Sequence, residues 1–192
     1  MKNLKKIIIV VIMVSLVVGY YFHLTNRETS TEKETENTEV SKLISRKLEG
    51  DYYPEFPREV VNLYSRIVKA YYYTDLTDKE IEGLGAQARQ LFDAELLEKN
   101  PEEEFYKNLK ADIEAYKAVE RKIYDFSVEK VADVELFTFE GNEYARVSAA
   151  YVVREMGSAV TIYQDYTLRK DEDGKWKILY WEVAKPSNEE YE

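Results

Sequence analysis

Two short stretches carry the side chains best suited to chemistry. In "KWKILYWEV" Tyr180 and Glu182 stand two residues apart, with Trp176 further up the same strand phase, and in "TIYQDYTL" Gln164 and Tyr166 stand two apart. Side chains alternate across an extended chain, so residues at i and i+2 share a face. If Trp176 and Ile178 face a core, Tyr180 and Glu182 follow them. On the neighbouring strand Leu168 brings Tyr166, Gln164, Ile162 and Val160, and the strand before that turns Ala145, Val147, Ala149, Tyr151 and Val153 the same way. A carboxylate among phenols is a general-base arrangement, with Glu182 taking a proton and Tyr151, Tyr166 or Tyr180 donating to a developing oxyanion. The plainer outcome for a carboxylate near a strand end is that it reaches solvent or pairs with Arg146 or Arg154, while core tyrosines pack their rings and bond their hydroxyls locally. The candidate pocket is therefore Tyr151, Gln164, Tyr166, Trp176, Tyr180 and Glu182, with no catalytic residue assigned.

Other chemistries have fewer footholds. The single histidine, His23, lies at the end of an apolar leader, so the domain beyond it can build neither a Ser-His-Asp relay nor a histidine metal site. There is no cysteine, hence no disulfide framework and no thiolate ligand. "DEDG" lacks the spacing of a calcium-binding loop, the acids at 102–104 read as complements to a helix dipole, and no Gly-rich phosphate loop is present. No metal or cofactor is expected. A net charge of −10 argues against a nucleic-acid partner, whose phosphates must be neutralised by Lys and Arg.

The elements that must position the pocket are set by periodicity. "FPREVVNLYSRIVKAYYY" has Pro57 at a helix start and apolar residues at 3.6-residue spacing from Val60 to Tyr72. A second helix over 76–100 opens on a Thr77–Glu80 capping box, with Gly83 and Gly85 as weak points. A third over 100–122 takes Asn100 as its cap and Pro101 in its first turn. After about Ile123 the pattern alternates, giving strands at Ser127–Glu140, Tyr144–Glu155, Ala159–Lys170 and Lys175–Ala184 separated by "GN", "MGS" and "DEDG". The first is long enough to require a bend near Ala132 or Asp133. The expected fold class is α+β: three helices packed on a curved four-stranded antiparallel sheet.

The order of these elements and the final hairpin "YTLRKDEDGKWKILYWEV" resemble the cone-shaped nuclear-transport-factor-two-like fold, itself related to the cystatin-like fold, over about residues 57–184. Within that group the chain is similar to membrane-anchored proteins of unknown function from Gram-positive gut bacteria. The resemblance implies a cone with a concave apolar face. It leaves function open, since the fold hosts isomerases, dehydratases, transport adaptors and immunity proteins alike.

At the other end, Lys2, Lys5 and Lys6 precede an uncharged run from Ile7 to Phe22. A helix over 7–24 would span about 27 Å at ~1.5 Å per residue, close to the ~30 Å hydrocarbon core of a bilayer. Lysines on the near side set a cytoplasmic N-terminus and an exported domain. Tyr20, Tyr21 and Phe22 read as an interfacial aromatic belt, favouring a retained anchor; the alternative is secretion after cleavage near Gly19. The expected organisation is a cytoplasmic start at 1–6, a transmembrane signal anchor at 7–24, a flexible Thr/Glu-rich linker at 25–50, a domain at 51–185 and a tail at 186–192. Tyrosine clusters such as Tyr71-Tyr72-Tyr73 suit a partner surface as well as core packing. Three functions remain in order: a non-enzymatic, cell-surface module that binds an unknown protein partner or builds an envelope assembly, a small-ligand or peptide binder using the concave face, and an isomerase- or dehydratase-type enzyme in the pocket.

Overall fold

The computed structural model describes residues 38–73 and 75–184. The expected anchor at 7–24, most of the linker and the tail at 186–192 lie outside them. Among the described residues no helix is long and apolar enough to cross a membrane. The chain divides into two units between residues 39 and 40, and the second, Val40–Glu192, holds the sheet and the helices packed on it.

That unit is an α+β fold with helices on one face of a curved, five-stranded antiparallel sheet. Packing begins before residue 51, the expected domain start. Residues 40–44 are helical, and Val40, Leu43 and Leu48 are buried in the main core. Their spacing supplies an apolar stripe that the surrounding Thr and Glu residues obscure in composition, so packing starts within the 25–50 stretch expected to be a flexible linker.

Helix α1 (Pro57–Tyr73) starts at its proline and buries Val60, Val61, Tyr64, Ile67 and Tyr71 along one side. The expected second helix is in fact two, α2 (Asp78–Gln90) and α3 (Ala94–Lys99). Thr77 and Glu80 form the capping box at the start of α2. The break at 91–93 has a partner: Ile178 N donates to Leu91 O and Asp93 N to Ile178 O, both at 2.8 Å. The segment Leu91–Asp93, bridged to β5 at Phe92, thus covers part of a sheet edge that would otherwise expose unpaired backbone groups. Asp93 then caps α3, its Oδ1 accepting from Glu95 N at 2.9 Å. Helix α4 runs from Glu102 to Ala118 with Pro101, not Asn100, at the N-cap. Asn100 instead closes α3, donating from Nδ2 to Leu96 O at 2.9 Å.

The glycines of α2 are sites of close approach. A Cβ on Gly85 would collide with Cε1 of Tyr106 on α4, and one on Gly83 would lie 3.0 Å from the Ile44 side chain. Their lower helix propensity is offset by the packing they permit.

The expected first strand is two strands, making five rather than four. β1 (Lys122–Val128) and β2 (Glu135–Phe139) both pair with β3 (Asn142–Glu155), and a 3-10 turn at Val131–Asp133 separates them where the bend was expected. β4 (Ser158–Lys170) and β5 (Trp176–Val183) complete the sheet, whose order is β1-β3-β4-β5 with β2 beside β3. Glu140-Gly141 and Met156-Gly157 all have positive φ, as two-residue hairpins of matching twist require.

One irregularity decides the site. Thr167 pairs with Tyr180 and Leu168 with Ile178, so Leu179 is an extra residue in β5. This bulge shifts side-chain phase by one. Before it Trp176 and Ile178 are buried; beyond it Trp181 faces α1 with its ring against Tyr64 yet 37% exposed, while Tyr180 and Glu182 are exposed on the opposite face. Strict alternation over Trp176–Glu182 is therefore corrected.

Candidate functional site

Between the helices and the concave face of the sheet lies a cavity of about 300 Å³. Aromatic rings form most of its wall. Tyr64 of α1 is central, with ring centroids 5.6 Å from Phe92, 5.8 Å from Tyr166 and 5.5 Å from Trp181. Phe92 meets Phe105 edge-on at 6.0 Å, extending the wall to α4. Each such pair contributes about 0.5–1.5 kcal/mol beyond its area, which holds the wall in one arrangement.

A chain of hydroxyls crosses the base of the cavity. Ser65 Oγ and Tyr151 Oη are 2.7 Å apart, Tyr151 Oη and Tyr166 Oη 2.7 Å, and Tyr166 Oη donates to Gln164 Oε1 at 2.7 Å. Because the last link fixes Tyr166 as donor, Tyr151 must donate to Tyr166 and Ser65 to Tyr151. Each hydrogen is used once, and the Gln164 amide NH2 is left over. Ser65 is a polar residue on the buried stripe of α1, and this chain is what satisfies it.

Tyr71 is the exception. It also lines the cavity and is only 4% exposed, yet its hydroxyl has no hydrogen-bond partner among the described residues. Burial raises the pKa of Tyr64, Tyr71, Tyr151 and Tyr166 above the ordinary phenol value. These groups stay protonated at neutral pH and serve as hydrogen-bond donors and acceptors, not as bases.

The rim is built from Asn100, Asn108, Asp112, Tyr72 and Tyr116. Tyr72 and Tyr116 lie 4.2 Å apart between centroids. Burial, and after it the nearby Asp112 carboxylate, pushes the Tyr72 hydroxyl well above its usual range. Asp112 is the one charged side chain in the lining, which holds no Lys, Arg or His among the described residues.

Of the six sequence candidates, Tyr151, Gln164 and Tyr166 line the cavity together. Trp176 is buried but sits elsewhere, its carbonyl accepting from Tyr53 Oη at 2.8 Å and its ring facing Lys170. Tyr180, 46% exposed, and Glu182 lie on the opposite face of the sheet. The phenol–carboxylate arrangement around Glu182 is therefore not assembled, because the bulge at Leu179 takes its base out of the pocket. Sequence reading missed Trp181, Phe92 and Phe105 as wall and Ser65 and Tyr71 as polar groups. Phe92 and Phe105 carried a signal as members of the apolar stripes of the second and third expected helices, and Ser65 as a small polar residue at the four-residue step from Val61 on an apolar stripe.

A larger open groove of about 790 Å³ runs along α2, α3 and the ends of β4 and β5. Its central charges have partners: Arg169 is bound to Asp93 and lies 3.7 Å from Glu95, and Lys177 donates to Gln90 O at 2.7 Å. It reads as a satisfied surface.

Among known families, residues 1–181 fit the model described as Domain of unknown function (DUF6715). No curated protein matches the chain.

Proposed function

The chain belongs to the DUF6715 family, and from the cavity we propose that it is a small-ligand binder: an exported, membrane-anchored domain of the nuclear-transport-factor-two-like cone type that holds an apolar ligand between its helices and its sheet. What supports the anchor is the apolar run at 7–24 behind three lysines. Support for the cone is the placement of the helices on the concave side of a curved sheet.

The observation that carries ligand binding is the cavity itself. Ligand sites are concave, mostly apolar, and furnished with a few fixed polar groups. Here about 300 Å³ is lined largely by aromatic rings, with the Tyr151–Tyr166–Gln164 relay at the base. A protein-binding surface, the first expectation from sequence, has less behind it. On the outer face the exposed Tyr163 and Tyr180 are separated by the acidic pair Asp165 and Glu182, which sit opposite each other in the register.

The test uses the full chain in phospholipid nanodiscs and the neutral probe 2-naphthylmethanol, with binding read by calorimetry. Saturable binding is expected, and Leu96→Trp, which fills the cavity from its wall, should abolish it. Equal heats from the wild type and this variant would reject the proposal.

A further inference from the structure

The charge pattern of the cavity restricts what it can hold. We infer that its ligand is an organic cation, an apolar body bearing an ammonium-type group, with the body among Tyr64, Phe92 and Trp181 and the positive end at the rim beside Asp112. This rests on the ligand-binding reading and narrows it.

Three observations converge. The lining contains one carboxylate and, among the described residues, no cationic side chain, so a carboxylate or phosphate on the ligand would find no counter-charge. Asp112 is exposed at the rim and makes no ion pair among the described residues, whereas its neighbour Glu114, off the lining, meets Lys117 at 3.6 Å. The Asp112 charge is thus uncommitted. Beside it the Tyr72 and Tyr116 rings lie 4.2 Å apart, and the negative faces of such rings attract an ammonium group. Arg89 and Arg121 do lie over the Phe105 and Tyr116 rings, at 5.3 and 5.2 Å, but neither lines the cavity. Tyr116 already carries Tyr72 at 4.2 Å and Arg121 at 5.2 Å, so the attraction for a ligand's cation at the mouth falls to the Asp112 carboxylate and the Tyr72 ring.

The rim and the interior divide the work. Deep groups such as the tyrosine relay are neutral and suit an uncharged body with at most one polar atom. Charge is read only at the mouth, where water still reaches the carboxylate and the cation need not be fully desolvated.

The experiment compares three probes of one shape on the full chain in nanodiscs of zwitterionic lipid: 2-naphthylmethylammonium, 2-naphthylmethanol and 2-naphthoate. The ammonium should bind at least tenfold more tightly than the alcohol, and the naphthoate more weakly than either. Asp112→Asn should collapse the ammonium-to-alcohol ratio to within about twofold of one. Glu114→Gln removes the same charge one turn-fraction away and should leave the ratio in place, which separates a local carboxylate from the acidity of the whole chain. Leu96→Trp, and Ile162→Trp as an independent filling variant should the first not fold, should remove binding of all three probes. Naphthoate binding as tightly as the ammonium, or a ratio unmoved by Asp112→Asn, overturns the cation assignment while alcohol binding keeps the cavity reading intact. Absence of binding by all three overturns both.

Discussion

Tyr166 and Trp181 are direct partners across β4 and β5, with ring centroids 6.1 Å apart, and they face each other on the concave side only because Leu179 is bulged out of register two residues earlier. Deleting Leu179 removes only the extra residue and leaves Tyr180 opposite Thr167, Trp181 opposite Tyr166 and Glu182 opposite Asp165, so Trp181 keeps its inward phase. Inserting one residue between Tyr180 and Trp181 instead turns Trp181 outward. We predict acrylamide quenching of tryptophan fluorescence close to the wild type for the deletion and raised for the insertion; quenching raised equally by both would show that the phase of Trp181 is not set by this register.

The same bulge marks the limit of what the sequence discloses. Helix starts were legible where a local chemical signal exists, as at Pro57 and Thr77–Glu80. The hairpin turns at Gly141 and Gly157 were legible for the same reason, since positive φ selects glycine. Three of the four residues in the hydroxyl chain at the cavity base, Tyr151, Tyr166 and Gln164, came from period two because β3 and β4 pair without a break over that stretch. Past Ile178 the run Leu179-Tyr180-Trp181 is apolar at every position, and a continuous apolar run does not declare which residues face inward. The break between α2 and α3 was hidden similarly: its cause is hydrogen bonding of Leu91 and Asp93 to Ile178, more than eighty residues away.

Tyr71 and Tyr151 offer a paired test of the polar interior. Tyr71→Phe removes a buried hydroxyl that bonds nothing and should leave stability unchanged or raise it by up to about 1 kcal/mol. Tyr151→Phe removes the middle of the relay, leaving Ser65 and Tyr166 each short of a partner, and should cost about 1–3 kcal/mol. Urea denaturation of the two variants should move their midpoints in opposite directions or leave only the second displaced.

Gly85 tests whether the α2–α4 contact is tight. Alanine has the better helix propensity by about 1 kcal/mol, but its Cβ would run into the Tyr106 ring. Displacing that ring also breaks the 3.2 Å bond from Tyr106 Oη to Glu82 O. Gly85→Ala should therefore be neutral or destabilising in the wild type and stabilising by about 1 kcal/mol in a Tyr106→Ala background. A double-mutant cycle with no coupling between the two positions would show that the helices are not in contact there.

Glu129 gives a pH signature. Burial raises its pKa, with the charges of Asp133 and Asp165 adding to the effect and the bond from Ser148 N opposing it. A carboxyl whose folded pKa is raised binds its proton more tightly when folded, so the ionised form costs stability at neutral pH. Glu129→Gln keeps an oxygen for Ser148 N and should be the more stable protein near pH 7, by about 0.5 kcal/mol or less because the group is largely solvated. That advantage should shrink as pH falls through the raised folded value and level off below the ordinary carboxyl value. Thermal melts of the two proteins across that range read the difference directly.

Export is testable because the chain has no cysteine to confuse a labelling experiment. Glu172 lies in the exposed turn between β4 and β5, well away from the cavity, so Glu172→Cys adds one accessible thiol without touching the core. On the export proposal, lysines ahead of the apolar run keep the N-terminus cytoplasmic and put this turn outside. A membrane-impermeant maleimide should then label intact cells to the same extent as permeabilised ones. The mass of the labelled chain separates the two fates of the leader: the full-length mass for a retained anchor, in the membrane fraction, and a mass reduced by about the first nineteen residues in the medium if cleavage occurs near Gly19. Labelling that requires permeabilisation would place the domain inside the cell and reject the export proposal.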